Sequence, residues 1–245
     1  MAKLAAYYVQ IQFDSTIFYA RQTIDLAEKS NYTYGKFLGL LSIYNANNDV
    51  GNYSRALEIA LQMLHIGEQL KNHRDSILAI AHANIGYVNR EMGNYPEAIT
   101  HFRQAIFLAE QPGEYISAQW GPFLQFAFID MKKNQLDSAL WYAKKGVALN
   151  SEANGGSGNG LALAILGNVY DSLGNHALAE KYYRQGIANA RKLNRLYWLA
   201  RLYNNLADMF RMTNQPDSCL HYALTSMQLC QDTNLQTMLW MPVQS

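Results

Sequence analysis

Three kinds of residue in this chain could carry chemistry: a glycine-rich segment, six histidines and repeated Asp-Ser pairs. Residues 153–160, Ala-Asn-Gly-Gly-Ser-Gly-Asn-Gly, have the composition of a phosphate-binding loop. A dinucleotide site needs a β-strand before such a loop, whereas the apolar spacing from Ala139 to Leu149 predicts a helix there. We therefore expect 153–160 to be a flexible linker.

The histidines are scattered along the chain without the i, i+4 or Cys-paired spacing of common metal sites. We therefore predict no metal site and no cofactor. Cys219 and Cys230 are eleven positions apart in one predicted helix, where we expect free, buried thiols. The histidines are His65, His73, His82, His101, His176 and His221.

The Asp-Ser pairs that begin at Asp14, Asp137 and Asp217 each stand where a helix is predicted to begin. Their side chains offer acceptors to unpaired backbone N–H groups and suit the helix dipole, so we interpret them as caps. No Ser-His-Asp order, nucleophile elbow or carboxylate pair stands out. We expect this segment not to be an enzyme, although a kinase domain could lie outside it.

The elements that hold these residues repeat with a steady period. Six similar segments are centred on small residues at intervals of 40, 42, 41, 40 and 40, namely Thr16, Ala56, Ala98, Ala139, Ala179 and Cys219. The last five follow a residue that tolerates the left-handed conformation ending a helix, namely Gly51, Gly93, Asn134, Gly174 and Asn214. Apolar residues have helical spacing on both sides of these turns. Each unit is therefore predicted to be helix, tight turn, helix, with the small residues allowing close helix approach.

The composition and charge of the chain limit the classes of partner that it is expected to bind. The chain has 245 residues, of which 49% are hydrophobic and 16% charged, so it can bury a core. With 20 Lys and Arg against 19 Asp and Glu and no like-charge run, we expect no nucleic acid to bind this segment. No stretch approaches the roughly 20 apolar residues of a membrane span, so we expect no membrane contact by this segment.

Two stretches carry a family resemblance. Asn84-Ile-Gly-Tyr…Gly93-Asn-Tyr-Pro-Glu-Ala and Leu166-Gly-Asn-Val-Tyr…Gly174-Asn-His-Ala-Leu-Ala resemble the tetratricopeptide repeat. The resemblance covers essentially the whole chain and implies an all-α, right-handed superhelical solenoid of antiparallel helix pairs. The period exceeds the family's usual length of about 34 residues and resembles the longer variant of kinesin light chains and several bacterial regulators. Asn47 and Asn89 stand where the family has an aromatic residue.

We expect a single solenoid over residues 1–245. It begins with a partial repeat at 1–32 and ends with the start of a further helix at 233–245. Both ends look cut, so we expect a fragment of a longer protein. The repeats between them span about 33–72, 73–113, 114–152, 158–194 and 195–232.

Stacked hairpins curve so that the first helix of each pair lines a concave groove. Asparagines, two arginines and an exposed aromatic residue there could pair with a peptide backbone and offer a few apolar anchors, which suits an extended or helical peptide. The alternative for any one residue is an ordinary solvated position. The residues predicted to face the groove are Asn45, Asn48, Asp49, Tyr87, Arg90, Glu91, Phe128, Met131, Lys132, Asn168, Asp171, Asn204, Asp208 and Arg211.

Long-period arrays rich in Asp-Ser-Ala-Leu-x-Tyr-Ala resemble the N-terminal regions of bacterial two-component histidine kinases and transcription regulators. The resemblance implies a sensory or regulatory module that binds a protein or peptide. The alternative is a free-standing scaffold for assembling protein complexes. The module would lie outside the cytoplasm as the sensor of a membrane kinase, and in the cytoplasm otherwise.

Overall fold

The computed structural model describes residues 13–70, 73–110, 120–153, 160–193 and 195–232. Within these ranges the regular structure is eleven α-helices and no β-strand, as the all-α prediction requires. In chain order they are α1 (Phe13–Lys29), α2 (Thr33–Asp49), α3 (Tyr53–Gln69), α4 (Arg74–Glu91), α5 (Tyr95–Ala109), α6 (Trp120–Lys132), α7 (Leu136–Ala153), α8 (Gly160–Ser172), α9 (His176–Lys192), α10 (Leu196–Met212) and α11 (Pro216–Asp232).

The chain divides into two compact units, residues 1–122 and 123–245. In the first unit, α1 to α5 pack in series, each helix against the next. In the second unit, α7 to α11 do the same, and α8 also contacts α10. Each unit is thus built of helix pairs joined in chain order, as the repeat predicts.

Three predictions lie partly or wholly outside the described residues. They concern the beginning of the partial repeat at 1–12, the linker at 154–159 and the further helix at 233–245. The described helices α7 and α8 end at Ala153 and begin at Gly160 on either side of that linker.

The predicted turn residues all end a helix in the left-handed conformation, so this prediction is confirmed. Their φ angles are 74° at Gly51, 81° at Gly93, 58° at Asn134, 75° at Gly174 and 56° at Asn214. The N–H of each donates to the carbonyl three residues earlier at 2.9–3.2 Å. The N–H of the next residue donates to the carbonyl five residues before it at 2.8 or 2.9 Å. This double bond pattern is the Schellman motif, which pairs the last carbonyls of a helix.

The small residues sit where two helices meet. Ala56, Ala98, Ala139 and Ala179 are completely buried, whereas Cys219 is partly exposed. On the facing helices, an ideal Cβ on Gly86 would lie 2.7 Å from the ring of Phe102, and one on Gly167 would lie 2.4 Å from the ring of Tyr183. The absence of a side chain therefore makes room for an aromatic ring in each pair.

The Asp-Ser pairs fall slightly inside their helices. Asp14, Asp137 and Asp217 lie in the first turn of α1, α7 and α11, where a negative charge suits the helix dipole. Asn175 makes a side-chain cap bond at the start of α9, where its Oδ1 accepts from the N–H of Leu178 at 3.2 Å.

Asn47 and Asn89 replace an aromatic residue by a local hydrogen-bond bridge. Both are buried, and their Nδ2 atoms donate to the carbonyls of Ile43 and Ile85 at 2.8 and 3.0 Å. The Oδ1 of Asn47 also accepts from the side chain of Asn52 in the following turn at 3.2 Å. The same position is Asp130 in the next repeat, and in the last two repeats it stacks an aromatic ring on the second helix, as Tyr170 on Tyr182 (5.4 Å) and Phe210 on Tyr222 (5.6 Å).

Candidate functional site

The fourteen residues predicted to bind a ligand lie within the last two or three turns of first helices. In the first unit they are Asn45, Asn48 and Asp49 on α2 and Tyr87, Arg90 and Glu91 on α4. In the second unit they are on α6, α8 and α10, namely Phe128, Met131, Lys132, Asn168, Asp171, Asn204, Asp208 and Arg211. All except Arg90 keep part of their surface accessible. Their role in ligand binding stays a prediction.

Arg90 differs from the expectation of an open cationic side chain. It is only 9% exposed, its Nη2 pairs with Glu91, and its guanidinium lies 4.6 Å from the centroid of the Tyr87 ring. A guanidinium stacked on an aromatic ring is stabilised by the charge distribution of that ring. Arg90 therefore orders its neighbours and has little surface to offer a ligand.

Tyr44 joins α2 to α4. Its ring is buried, and its hydroxyl donates to the backbone carbonyl of Asn84 at 3.1 Å. Burial raises the pKa of Tyr44 well above its ordinary value, with a smaller contribution from Tyr87. The hydroxyl therefore stays protonated and keeps the two first helices of this unit in register.

Two amide atoms beside this link have no hydrogen-bond partner within the described protein. They are Oδ1 of Asn48 and Nδ2 of Asn84, and both are buried. Buried amide atoms are nearly always paired, because an unpaired one costs about 1–3 kcal/mol. One atom is an acceptor and the other a donor, and a peptide bond offers a partner to each kind.

Asp49 stands at the end of α2, next to Asn48. The residue as a whole is exposed, whereas the protein atoms around its carboxylate raise its pKa from 3.8 to about 7 by desolvation. Its carboxylate makes no ion pair among the described residues. We call Asn45, Asn48, Asp49, Asn84 and Tyr87 the α2/α4 site.

In the second unit, the amide at the repeat position of Asn45 is Asn168, and it is already paired. Oδ1 of Asn168 accepts from the hydroxyl of Tyr183 at 2.8 Å and from Nδ2 of Asn205 at 2.9 Å. These bonds tie α8 to its partner helix α9 and to the next first helix, α10. The pKa of Tyr183 is raised, mainly by burial and further by Asp171 and Asp208, so its hydroxyl remains the donor.

Several charged residues of the second unit are occupied in local pairs. Nδ1 of His176 lies 2.7 Å from a carboxylate oxygen of Asp171, and Nη2 of Arg211 lies 2.7 Å from Asp208. The ammonium of Lys132 lies 5.9 Å from the ring centroid of Phe128. Asn204, by contrast, is exposed on α10. The residues in local pairs therefore have fewer groups available to a ligand than those of the α2/α4 site.

Sequence reasoning missed Asn84, although a signal was present. Asn84, Gln125 and Asn205 occupy one position of the repeat in three different units, and all three are amides. An amide recurring on the buried side of a helix predicts a specific hydrogen bond. Asn205 makes one, whereas Nδ2 of Asn84 and Oε1 of Gln125 lack a partner in the described protein.

A contact between two histidines was also missed. Nδ1 of His82 on α4 lies 2.9 Å from Nδ1 of His101 on α5. Burial lowers the pKa of both, and for His82 the neighbouring His101 lowers the pKa further. The pair spans two helices, so spacing within one helix does not reveal it. In the described ranges, no group of three or more His, Cys, Asp or Glu residues is placed to hold a metal ion.

The described helices were also compared with the length and apolar character of a membrane-spanning helix. None of them combines the length and the apolar character needed to cross a bilayer.

The helix pairs, their turns and the small residues between them define a tetratricopeptide-type helical repeat. The family model described as tetratricopeptide repeat matches residues 79–112 and 162–192. The chain is also 25% identical over 179 residues to tetratricopeptide repeat protein 29 of Trypanosoma brucei brucei. That match covers 71% of this chain and 35% of the relative, so the chain spans about a third of the relative's length.

Solved structures share the fold. A Rap protein complexed with competence and sporulation factor superposes with a TM-score of 0.74 and 18% identity, covering 96% of this chain and 64% of that one. The apo form of the quorum sensor NprR from B. thuringiensis superposes with a TM-score of 0.70 and 16% identity, covering 92% of this chain and 63% of that one. At these identities the likeness establishes the architecture alone, and it confirms the predicted repeat fold.

Proposed function

We propose that this chain is a protein-binding module that holds an extended peptide segment at the α2/α4 site. The observation that carries the proposal is the pair of buried amide atoms without partners, Oδ1 of Asn48 and Nδ2 of Asn84. An extended peptide presents an N–H and a carbonyl at each residue, so it can pair with both once the two side-chain amides turn outward. Tyr87, partly exposed beside them, offers an aromatic surface to a ligand side chain.

Stability and affinity measurements on amide variants distinguish a ligand-binding role of Asn48 and Asn84 from an ordinary solvated or structural one. If these amides serve a ligand, they cost stability in the unbound protein and contribute affinity in the bound one. Asn48→Ala and Asn84→Ala should then leave the free energy of unfolding unchanged or raise it, while weakening the peptide complex about three- to tenfold each. A purely structural amide would lower stability when removed.

The test begins with selection from a random nonapeptide library displayed on phage, using the whole chain as bait. A selected peptide, synthesised with a fluorophore, is then titrated into the wild type and both variants by fluorescence anisotropy. Gln62→Ala, which changes an exposed amide on α3, is the matched control and should bind like the wild type. Equal affinity of all four proteins, or failure to select any peptide, would reject the proposal.

We further propose that the module is the sensory or regulatory region of a bacterial signal-transduction protein, a two-component histidine kinase or a transcription regulator. The long repeat period supports this, as does the likeness of fold to a Rap protein complexed with competence and sporulation factor and to a quorum sensor. The alternative is a free-standing scaffold. Reading the natural gene on both sides of this segment decides between them. A kinase or DNA-binding region supports the first, and a stop codon close behind residue 245 supports the second.

A further inference from the structure

The histidine pair in the first unit lies between the two helices of one hairpin. His82 on α4 and His101 on α5 lie on the two arms of one hairpin, whose turn at Gly93 has the Schellman hydrogen bonds. Their Nδ1 atoms are 2.9 Å apart and their ring centroids 5.2 Å apart. Both side chains are half-buried, so one side of the pair is open to solvent.

The other repeats show what this position needs for packing. The repeat period places apolar or aromatic residues there, namely Leu40 with Ile59, Phe123 with Tyr142, Leu163 with Tyr182 and Tyr203 with Tyr222. The ring centroids of Phe123 and Tyr142 are 6.2 Å apart, and those of Tyr203 and Tyr222 are 6.1 Å apart. Packing of apolar or aromatic side chains thus suffices to join the helices. The two facing nitrogen atoms are a property of the His82–His101 repeat alone among these pairs.

We propose that Nδ1 of His82 and Nδ1 of His101 are the protein ligands of a divalent transition-metal ion, with Zn²⁺ and Ni²⁺ as the metals to test. Imidazole nitrogens bind Zn²⁺ at about 2.0–2.1 Å, which places two of them about 3.3 Å apart in a tetrahedral site. The present separation is shorter by a few tenths of an ångström, which a small side-chain rotation supplies. Metal binding requires the tautomer in which each neutral ring carries its proton on Nε2, so that both Nδ1 lone pairs face the metal.

A carboxylate stands nearby on a third helix. The carboxylate of Glu68 on α3 acts on His82 through its charge and lies 3.7 Å from Nδ1 of His65, and its side chain is 58% exposed. Carboxylate joins imidazole in many transition-metal sites. Because no third ligand is already in place among the described residues, water completes the coordination. The affinity is therefore that of an open site, below that of a closed structural zinc site.

The test uses the tag-free chain and the metal ions themselves. Calorimetric titration with ZnCl₂ and with NiCl₂ at pH 7.5 should show one ion bound per chain, and titration with MgCl₂ should show none. The double variant His82→Phe with His101→Tyr installs the Phe123–Tyr142 pair, which keeps the packing and removes both ligands. It should bind both ions at least about tenfold more weakly while its circular dichroism spectrum is unchanged.

Two further measurements keep the assignment specific. His82→Gln alone retains a hydrogen-bonding side chain and should also lose affinity, whereas His176→Gln and His221→Gln should not. Long-range ¹H–¹⁵N spectra of the histidine rings should show the zinc-induced shift at Nδ1 of His82 and His101. The assignment would be overturned if the wild type took up no metal, if the double variant took up as much as the wild type, or if His176→Gln or His221→Gln lost uptake. His82 and His101 would then be a packing contact and nothing more. None of these results depends on peptide binding at the α2/α4 site.

Discussion

At the scale of single residues, missing side chains decide how closely a pair of helices approaches. At Gly167 an ideal Cβ would lie 2.4 Å from Cε1 and 2.6 Å from Cδ1 of Tyr183. The tyrosine ring is 1% exposed, and its hydroxyl is held by Asn168. Because the ring is buried and its hydroxyl is hydrogen-bonded, it has little freedom to move away from an added methyl group.

Gly167→Ala should therefore lower the free energy of unfolding by about 1–3 kcal/mol, despite the better helix propensity of alanine. Gly121→Ala is the matched control, since Gly121 lies in α6 with no atom within 4 Å of an ideal Cβ. That substitution should raise stability by up to about 1 kcal/mol. Urea unfolding followed by circular dichroism measures both, and two stabilising substitutions would refute the steric account of Gly167.

Asp49 predicts a pH dependence of stability. Its pKa is raised to about 7 in the folded chain from the ordinary 3.8, so the folded state holds its proton to higher pH than the unfolded state does. Asp49 therefore lowers stability as the pH rises from about 4 through 7, with the full effect above 7 and none below 4. Asn at this position should remove the effect.

The expected result is that Asp49→Asn melts at the same temperature as the wild type near pH 4 and at a higher temperature at pH 8. Thermal unfolding at four or five pH values between 4 and 8 measures this difference. A melting difference that is independent of pH, or of opposite sign, would contradict the desolvation of this carboxylate.

At the scale of elements, a residue in the left-handed conformation ends the first helix of each pair at the turn. Gly51, Gly93 and Gly174 share the left-handed conformation with two asparagines at equivalent turns. An ideal Cβ on Gly174 meets no atom within 4 Å, so a side chain there is opposed by its backbone conformation alone. The turn therefore isolates the energetic cost of a positive φ from any steric clash.

Gly174→Ala should cost about 1 kcal/mol of unfolding free energy, because alanine at φ 75° is strained. Asn214→Gly, at φ 56°, should change stability by only a few tenths of a kcal/mol, because asparagine already tolerates this region. The comparison is made by urea unfolding of both variants. Equal effects of the two substitutions would show that the turn conformation is not what limits stability.

The same elements explain two departures from the family pattern. Asn47 and Asn89 replace an aromatic stack by hydrogen bonds to the carbonyls of Ile43 and Ile85 in the preceding turn of the same helix. His82 and His101 stand where the other repeats have apolar or aromatic side chains, and they make a contact between nitrogen atoms instead. All four residues are in α2, α4 and α5 of the first unit, and in the second unit Asp130 is a further polar residue at the position of Asn47 and Asn89.

At the scale of the whole molecule, contacts run mainly between helices that are neighbours in the chain. In such helical repeats, stability is close to a sum of local terms. Gly167→Ala should therefore speed backbone hydrogen exchange most in α8 and α9, and much less in α2 to α4. Exchange measured by mass spectrometry on peptic fragments tests this, and equal acceleration in both units would instead indicate a single cooperative transition.

The sequence alone determined the repeat period, the all-α class, the left-handed turns and the small residues between helices. These features depend on backbone preference and on spacing along one or two helices, which the order of residues displays directly. It also indicated thirteen residues whose surfaces are accessible in the structure, because one face of a helix follows from its period. Whether those residues bind a ligand stays a prediction.

Only the tertiary structure decided which polar groups are already occupied. Arg90 is buried against Tyr87, Asn168 is paired with Tyr183 and Asn205, and the amides of Asn48 and Asn84 keep atoms without a partner in the described protein. Such differences depend on the direction of side chains on separate helices, which can lie almost a full repeat apart in the chain. Positions that are equivalent in the repeat therefore have different neighbours, and the hydrogen bonds that each one makes appear only when the helices are packed.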